Sequence, residues 1–69
     1  MKTFYIQVFR SNRLEPVWIN HCTIYDGQVQ RIGFLKDRSQ AIEVKSEHVG
    51  IIVSFILEIP NTAKVVIEQ

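Results

Sequence analysis

Apolar residues in this chain recur mainly at every second position, the spacing of a pleated strand with one buried face. In Thr3–Arg10, Phe4, Ile6 and Val8 share one face, and Tyr5, Gln7 and Phe9 share the other. The polar stretch Ser11–Pro16 breaks this pattern. A second strand, Val17–Tyr25, is apolar on both faces, which points to an irregularity near Asn20-His21. Asp26-Gly27 follows, and both positions of a type I′ hairpin turn need positive φ, which these residue types tolerate. A third strand, Val29–Lys36, turns Ile32 and Phe34 one way and Arg31 and Gly33 the other. After a charged turn at Lys36–Ser39, Ile42 and Val44 face inward in a fourth strand, with Glu43 and Lys45 outward. Lys45–His48 forms the next turn.

The most hydrophobic stretch is Val49–Ile59. Taken at period two, Val49, Ile51, Val53, Phe55, Leu57 and Ile59 fall on one face, while Ile52 and Ile56 fall on the other beside Gly50, Ser54 and Glu58. Val, Ile and Phe favour strands, and such a strand at an edge would invite aggregation, so the pattern predicts a central fifth strand. Pro60-Asn61-Thr62 ends it, and Ala63–Glu68 supplies a sixth. The expected fold is therefore all-β: a single domain over residues 1–69, built as a small antiparallel β-sandwich of about six strands. A small OB- or SH3-like barrel is the alternative.

Composition agrees with one small core. The chain has 69 residues, 46% of them hydrophobic, with only 3 Gly and 2 Pro, which is not the make-up of a disordered segment. Cys22 has no partner for an internal disulfide, and small secreted domains usually carry several, so a cytoplasmic location is expected. No signal-peptide pattern opens the chain, because Gln7 and Arg10 interrupt its apolar start. The apolar run Val49–Leu57 is about half a membrane span, so no membrane partner is expected.

Charge narrows the partners. Eight Lys and Arg against seven Asp and Glu give a net charge of +1. Nucleic-acid binders draw much of their affinity from neutralising phosphates, and that overall bias is missing here.

Four segments carry a resemblance: Ile24-Tyr25-Asp26-Gly27, Ile32-Gly33-Phe34-Leu35, Ala41-Ile42-Glu43-Val44 and Glu47-His48-Val49-Gly50-Ile51. Together they resemble the pattern of PEGA-like small bacterial β-sandwich modules and related short proteins over about half the chain. The resemblance implies a β-sandwich with a role in binding or surface display, and it transfers no catalytic residue. One departure is the family's Gly ahead of the His-containing strand, where Lys45-Ser46-Glu47 stands instead.

Candidate chemistry is sparse. His21-Cys22 is the only adjacent pair of ligand-forming side chains, yet neighbouring strand residues point to opposite faces and zinc needs three or four ligands. Cys22 reads as a small core residue. His48 could approach Cys22 across strands, but a Cys-His nucleophile also needs an orienting group and an oxyanion hole. Asp26 and Glu47 resemble a carboxylate pair, and Asp26 already has a role in the turn. No enzyme, metal site or cofactor is expected.

A binding surface is the remaining class. Tyr5, Phe9, Trp18, Ile52 and Ile56 are expected to form a second apolar face, covered by a protein partner or a second copy of the chain. The alternative is an OB-like nucleic-acid binder that stacks bases on aromatics, with Arg10, Arg13, Arg31, Lys36 and Arg38 as phosphate contacts.

Overall fold

Five strands and one helix account for most of the chain. The computed structural model describes residues 2–69, and the elements run β1 (Thr3–Arg10), β2 (Val17–Tyr25), β3 (Gln28–Leu35), β4 (Val44–Lys45), α1 (Ser46–Leu57) and β5 (Thr62–Glu68). A short 3-10 turn, Arg38–Gln40, lies between β3 and β4. All strand pairings are antiparallel, so the expectation of a small, mainly antiparallel β domain holds.

β1 organises the sheet. It pairs with β5 from Tyr5↔Glu68 to Arg10↔Thr62, with β2 at Gln7↔Trp18 and Val8↔Val17, and with β4 at Thr3↔Lys45 and Phe4↔Val44. β3 then pairs with β2 in a hairpin. At its tip Asp26 and Gly27 have φ of 55° and 74°, as a type I′ turn requires.

The irregularity expected near Asn20-His21 is present. Ile19 faces Phe34 and His21 faces Gly33, so Asn20 is an extra residue in β2. The bulge switches which parity looks inward: Val17 and Ile19 lie in the core before it, and Cys22 and Ile24 pack against the core after it. This is why β2 reads as apolar on both faces. A Cβ on Gly33 would stand 2.9 Å from Asn20 Oδ1, so the bulged side chain occupies the space that glycine leaves.

The main correction concerns Val49–Ile59. This segment is not a central strand; residues up to Leu57 belong to α1, whose first turn also absorbs the turn expected at Lys45–His48. Val49, Ile52, Val53 and Ile56 satisfy the i, i+3, i+4, i+7 helical spacing as well as period two satisfies a strand. β-branched residues have modest helix propensity, but burying one helical stripe against a sheet outweighs a few tenths of a kcal/mol per residue.

The helix ends have local causes too. Glu47 sits in the first turn, where the helix dipole favours a carboxylate. Pro60 cannot extend the helix, and Asn61 turns the chain at φ 72°. Thr62 Oγ1 donates to the Ile56 carbonyl at 3.0 Å, satisfying an acceptor in the last turn.

α1 packs across one face of the sheet, touching β1, β3, β4 and β5. The core between them contains Ile6, Val8, Val17, Ile19, Val44, Ile52 and Ile56, each at most 5% exposed. Ile52 and Ile56 are thus the centre of the core, not part of an exposed second face. They had been placed there by the same period-two reading that made the segment a strand.

Candidate functional site

The strand pairing fixes which side chains lie on the face away from α1. Residues directly opposite across antiparallel strands share a face, with side chains about 5 Å apart. Ile6 and Val8 look toward the helix, so Tyr5, Gln7 and Phe9 look away from it. Their partners follow: Glu68 opposite Tyr5, Val66 and Trp18 flanking Gln7, Lys64 opposite Phe9, and Leu35 opposite Trp18. Tyr5, Phe9 and Trp18 therefore do share one surface, as the alternation predicts.

Their exposure differs. Trp18, between Gln7 and Leu35, is 7% exposed, while Tyr5 and Phe9 are half-buried and Leu35 is 43% exposed. What covers Trp18 is chiefly Arg38. Asp37 caps the 3-10 turn by accepting hydrogen bonds from the Ser39 N–H at 2.9 Å and Ser39 Oγ at 2.8 Å. The turn so formed delivers the Arg38 guanidinium 4.9 Å from the Tyr5 ring centroid and 5.2 Å from that of Trp18. Glu68 accepts two hydrogen bonds from Arg38 and anchors it there, and this pairing raises the guanidinium pKa further. Tyr5 Oη also reaches Glu43 Oε1 at 3.4 Å. Farther along, the Lys64 ammonium lies 5.3 Å from the Phe9 centroid.

These are cations over aromatic faces, each contributing about 0.5–1 kcal/mol in exposed settings. A long cationic side chain covers an apolar ring without a backbone layer, and it can move aside. The 3-10 turn that carries Arg38 packs against β2 beside this face.

The five basic residues proposed as phosphate contacts are not brought together on it. Only Arg38 lies over the aromatics, and its charge is already neutralised by Glu68. Arg10 lies on the helix side, 4.9 Å from the Phe34 centroid. Lys36 pairs with Glu15 at 3.8 Å, and Arg13 lines the same shallow surface hollow. Arg31 is an exposed residue of β3, opposite Thr23.

The second place of interest is a cleft of about 230 Å³ between β2, β4 and α1, lined in part by Cys22, Glu43, Lys45 and His48. Cys22 and His48 line the same cleft, His48 from the helix rather than from a neighbouring strand. Burial raises the Cys22 pKa, with no charged neighbour opposing it, so the sulfur is held as a thiol rather than a nucleophilic thiolate. His21 lies on the opposite face, its Nε2 3.4 Å from Thr23 Oγ1. Among the described residues there is no group of three or more His, Cys, Asp or Glu placed to hold a metal ion. Nor, among them, is any helix long and apolar enough to cross a membrane.

No protein-family model, curated protein or solved structure matches the chain. The functional reading therefore rests on the geometry alone.

Sequence reasoning set Arg38 beside the aromatics only as a phosphate contact, and missed that it lies over Tyr5 and Trp18 paired with Glu68. Its contacts with Tyr5 and Glu68 span 33 and 30 positions respectively, and nothing local in Asp37-Arg38-Ser39 signals them. The only hint was the Asp-x-Ser pattern of a capped turn.

Proposed function

We propose that this protein is a non-enzymatic interaction module, and that the helix-free face of its sheet is the docking surface for a protein partner. The observation that carries this reading is the asymmetry of cover. One face is sealed by α1, and the other presents Tyr5, Phe9 and Leu35 around Trp18 with the cationic side chains of Arg38 and Lys64 over the rings. Aromatic and Arg side chains are those most enriched at the energetic centres of interfaces. The architecture that fits is an open sheet backed by one helix, rather than a sandwich or a closed barrel.

Three points support the details. The Cys22 thiol, protonated in its cleft, favours a binding role over nucleophilic chemistry. A single unpaired cysteine suits the reducing cytoplasm. Ion pairing of Lys36 and Arg38 weighs against a nucleic-acid partner, because each neutralised cation releases fewer counterions from phosphate.

The test is an affinity pull-down from the native cell with and without nuclease, together with a labelled single-stranded oligonucleotide at low salt. The expected result is a protein partner whose capture survives nuclease, and no retention of the oligonucleotide. Capture that disappears with nuclease, or salt-sensitive oligonucleotide binding, would overturn the reading.

A further inference from the structure

Among the described residues, and apart from the two-residue β4, which pairs only with β1, the sheet has two strands with a single partner, and they are protected very differently. β3 pairs only with β2, and β5 only with β1. β3 carries an extra residue, Gln30, where Thr23 faces Arg31 and Ile24 faces Val29. A bulge with polar and charged neighbours is a common device against edge-to-edge pairing. β5 has no bulge from Lys64 to Glu68, and its charges stand only at the two ends of that stretch. Its pairing with β1 runs without a register shift over that stretch, it contains no proline, and its centre is Val65-Val66-Ile67. Ile67 is 46% exposed although it lies on the helix side, beside an apolar core.

We propose that β5 pairs with β5 of a second copy, antiparallel about a two-fold axis at Val66, making a homodimer with one continuous sheet. This deepens the interaction-module reading by naming the occupant of one edge, and leaves the aromatic face free for another protein. The register follows from the side chains. In an antiparallel two-fold pair, opposite residues must share a face, so the axis can pass only through a residue position and never between two.

With the axis at Val66, Lys64 stands opposite Glu68 of the second copy, and Glu68 opposite its Lys64. On the other face Val65 stands opposite Ile67, in both directions. The exposed Ile67 gains an apolar neighbour, and two opposite-charge pairs form. Moving the axis to Val65 or Ile67 sets a charged residue against Val66 and separates the ions. Glu68 can accept from Lys64 of the second copy while keeping Arg38, because a carboxylate has about four lone-pair sites. The same pairing lays Tyr5, Phe9 and Trp18 of both copies along one surface.

The experiment is sedimentation equilibrium of the full chain over a wide concentration range, with K64E, E68K and their equimolar mixture. Each single substitution places like charges opposite each other twice. The expected result is a wild-type dimer whose dissociation constant rises about tenfold or more in either variant. Mixing the two should restore association, because K64E then meets E68K with charges matched. Circular dichroism checks that each variant is folded. A V66C variant in a C22S background gives an independent readout, since the axis puts position 66 against itself and mild oxidation should yield a covalent dimer. A wild-type chain that stays monomeric throughout would overturn the proposal. So would a dimer indifferent to K64E and E68K, or failure of V66C to cross-link.

Discussion

The two faces of this sheet both carry large side chains but are closed by different means. On one, Ile6, Val8, Val17 and Ile19 meet Ile52 and Ile56 of α1, and these residues are almost wholly shielded. On the other, Trp18, Tyr5 and Phe9 are shaded by Arg38 and Lys64, two side chains that end in charge. A backbone layer removes water permanently. A guanidinium held at the end of a flexible stem does so only until something larger competes for the ring. The first face is built for stability, and the second can be exchanged for a partner.

Substitutions on the two faces should therefore differ in what they damage. The largest loss of stability is expected for I56A, which opens a cavity at the centre of the core and should lower the unfolding free energy by about 2–5 kcal/mol. In a domain of this size that is much of the total, so chemical denaturation should show a collapsed midpoint or no folded baseline. W18A is expected to cost less than I56A, because Arg38 and Leu35 can settle into the vacated space. Equal losses at Ile56 and Trp18 would mean that the second face is also a true core. R38A should cost less still, since its ion pair with Glu68 is about half exposed and screened by solvent. It should nonetheless raise the solvent accessibility of Trp18, read as increased quenching of its fluorescence by iodide.

How much of this was legible in the sequence depended on whether the signal was local. β1 and β2 begin and end where the alternation places them, and the hairpin turn follows from Asp26-Gly27. The bulge at Asn20 showed itself as an apolar pattern on both faces of one strand. The helix was hidden because Val49, Ile52, Val53 and Ile56 fit both periods, and the β-branched composition weighted the choice toward strand. Only the sheet waiting to be covered decides otherwise, and that is a tertiary fact. The same ambiguity misplaces Ile52 and Ile56, while Tyr5, Phe9 and Trp18 do lie on one face of the sheet, with Trp18 buried there. The contacts of Arg38 with Tyr5, Trp18 and Glu68 could not be found this way, because these partners are far along the chain.

The smallest expected effect concerns the turn that carries Arg38. Two hydrogen bonds from Ser39 hold the Asp37 carboxyl below its ordinary pKa. A depressed folded pKa means that the cap's contribution is fully present above the unfolded carboxyl's pKa. It is lost as pH falls through the folded value. The Ser39 amide shift, followed by NMR, should titrate with a midpoint below that of an unperturbed aspartate. A midpoint at or above the ordinary value would show that the turn is not capped in this way.

The division of labour between the faces is tested most directly by one paired measurement on a Y5Q/F9Q variant: its denaturation midpoint and its capture of partner protein in the pull-down. The account predicts a folded protein, destabilised by no more than about 2 kcal/mol, that has lost the partner. A variant that still captures the partner fully would contradict it, and so would one that unfolds as readily as I56A.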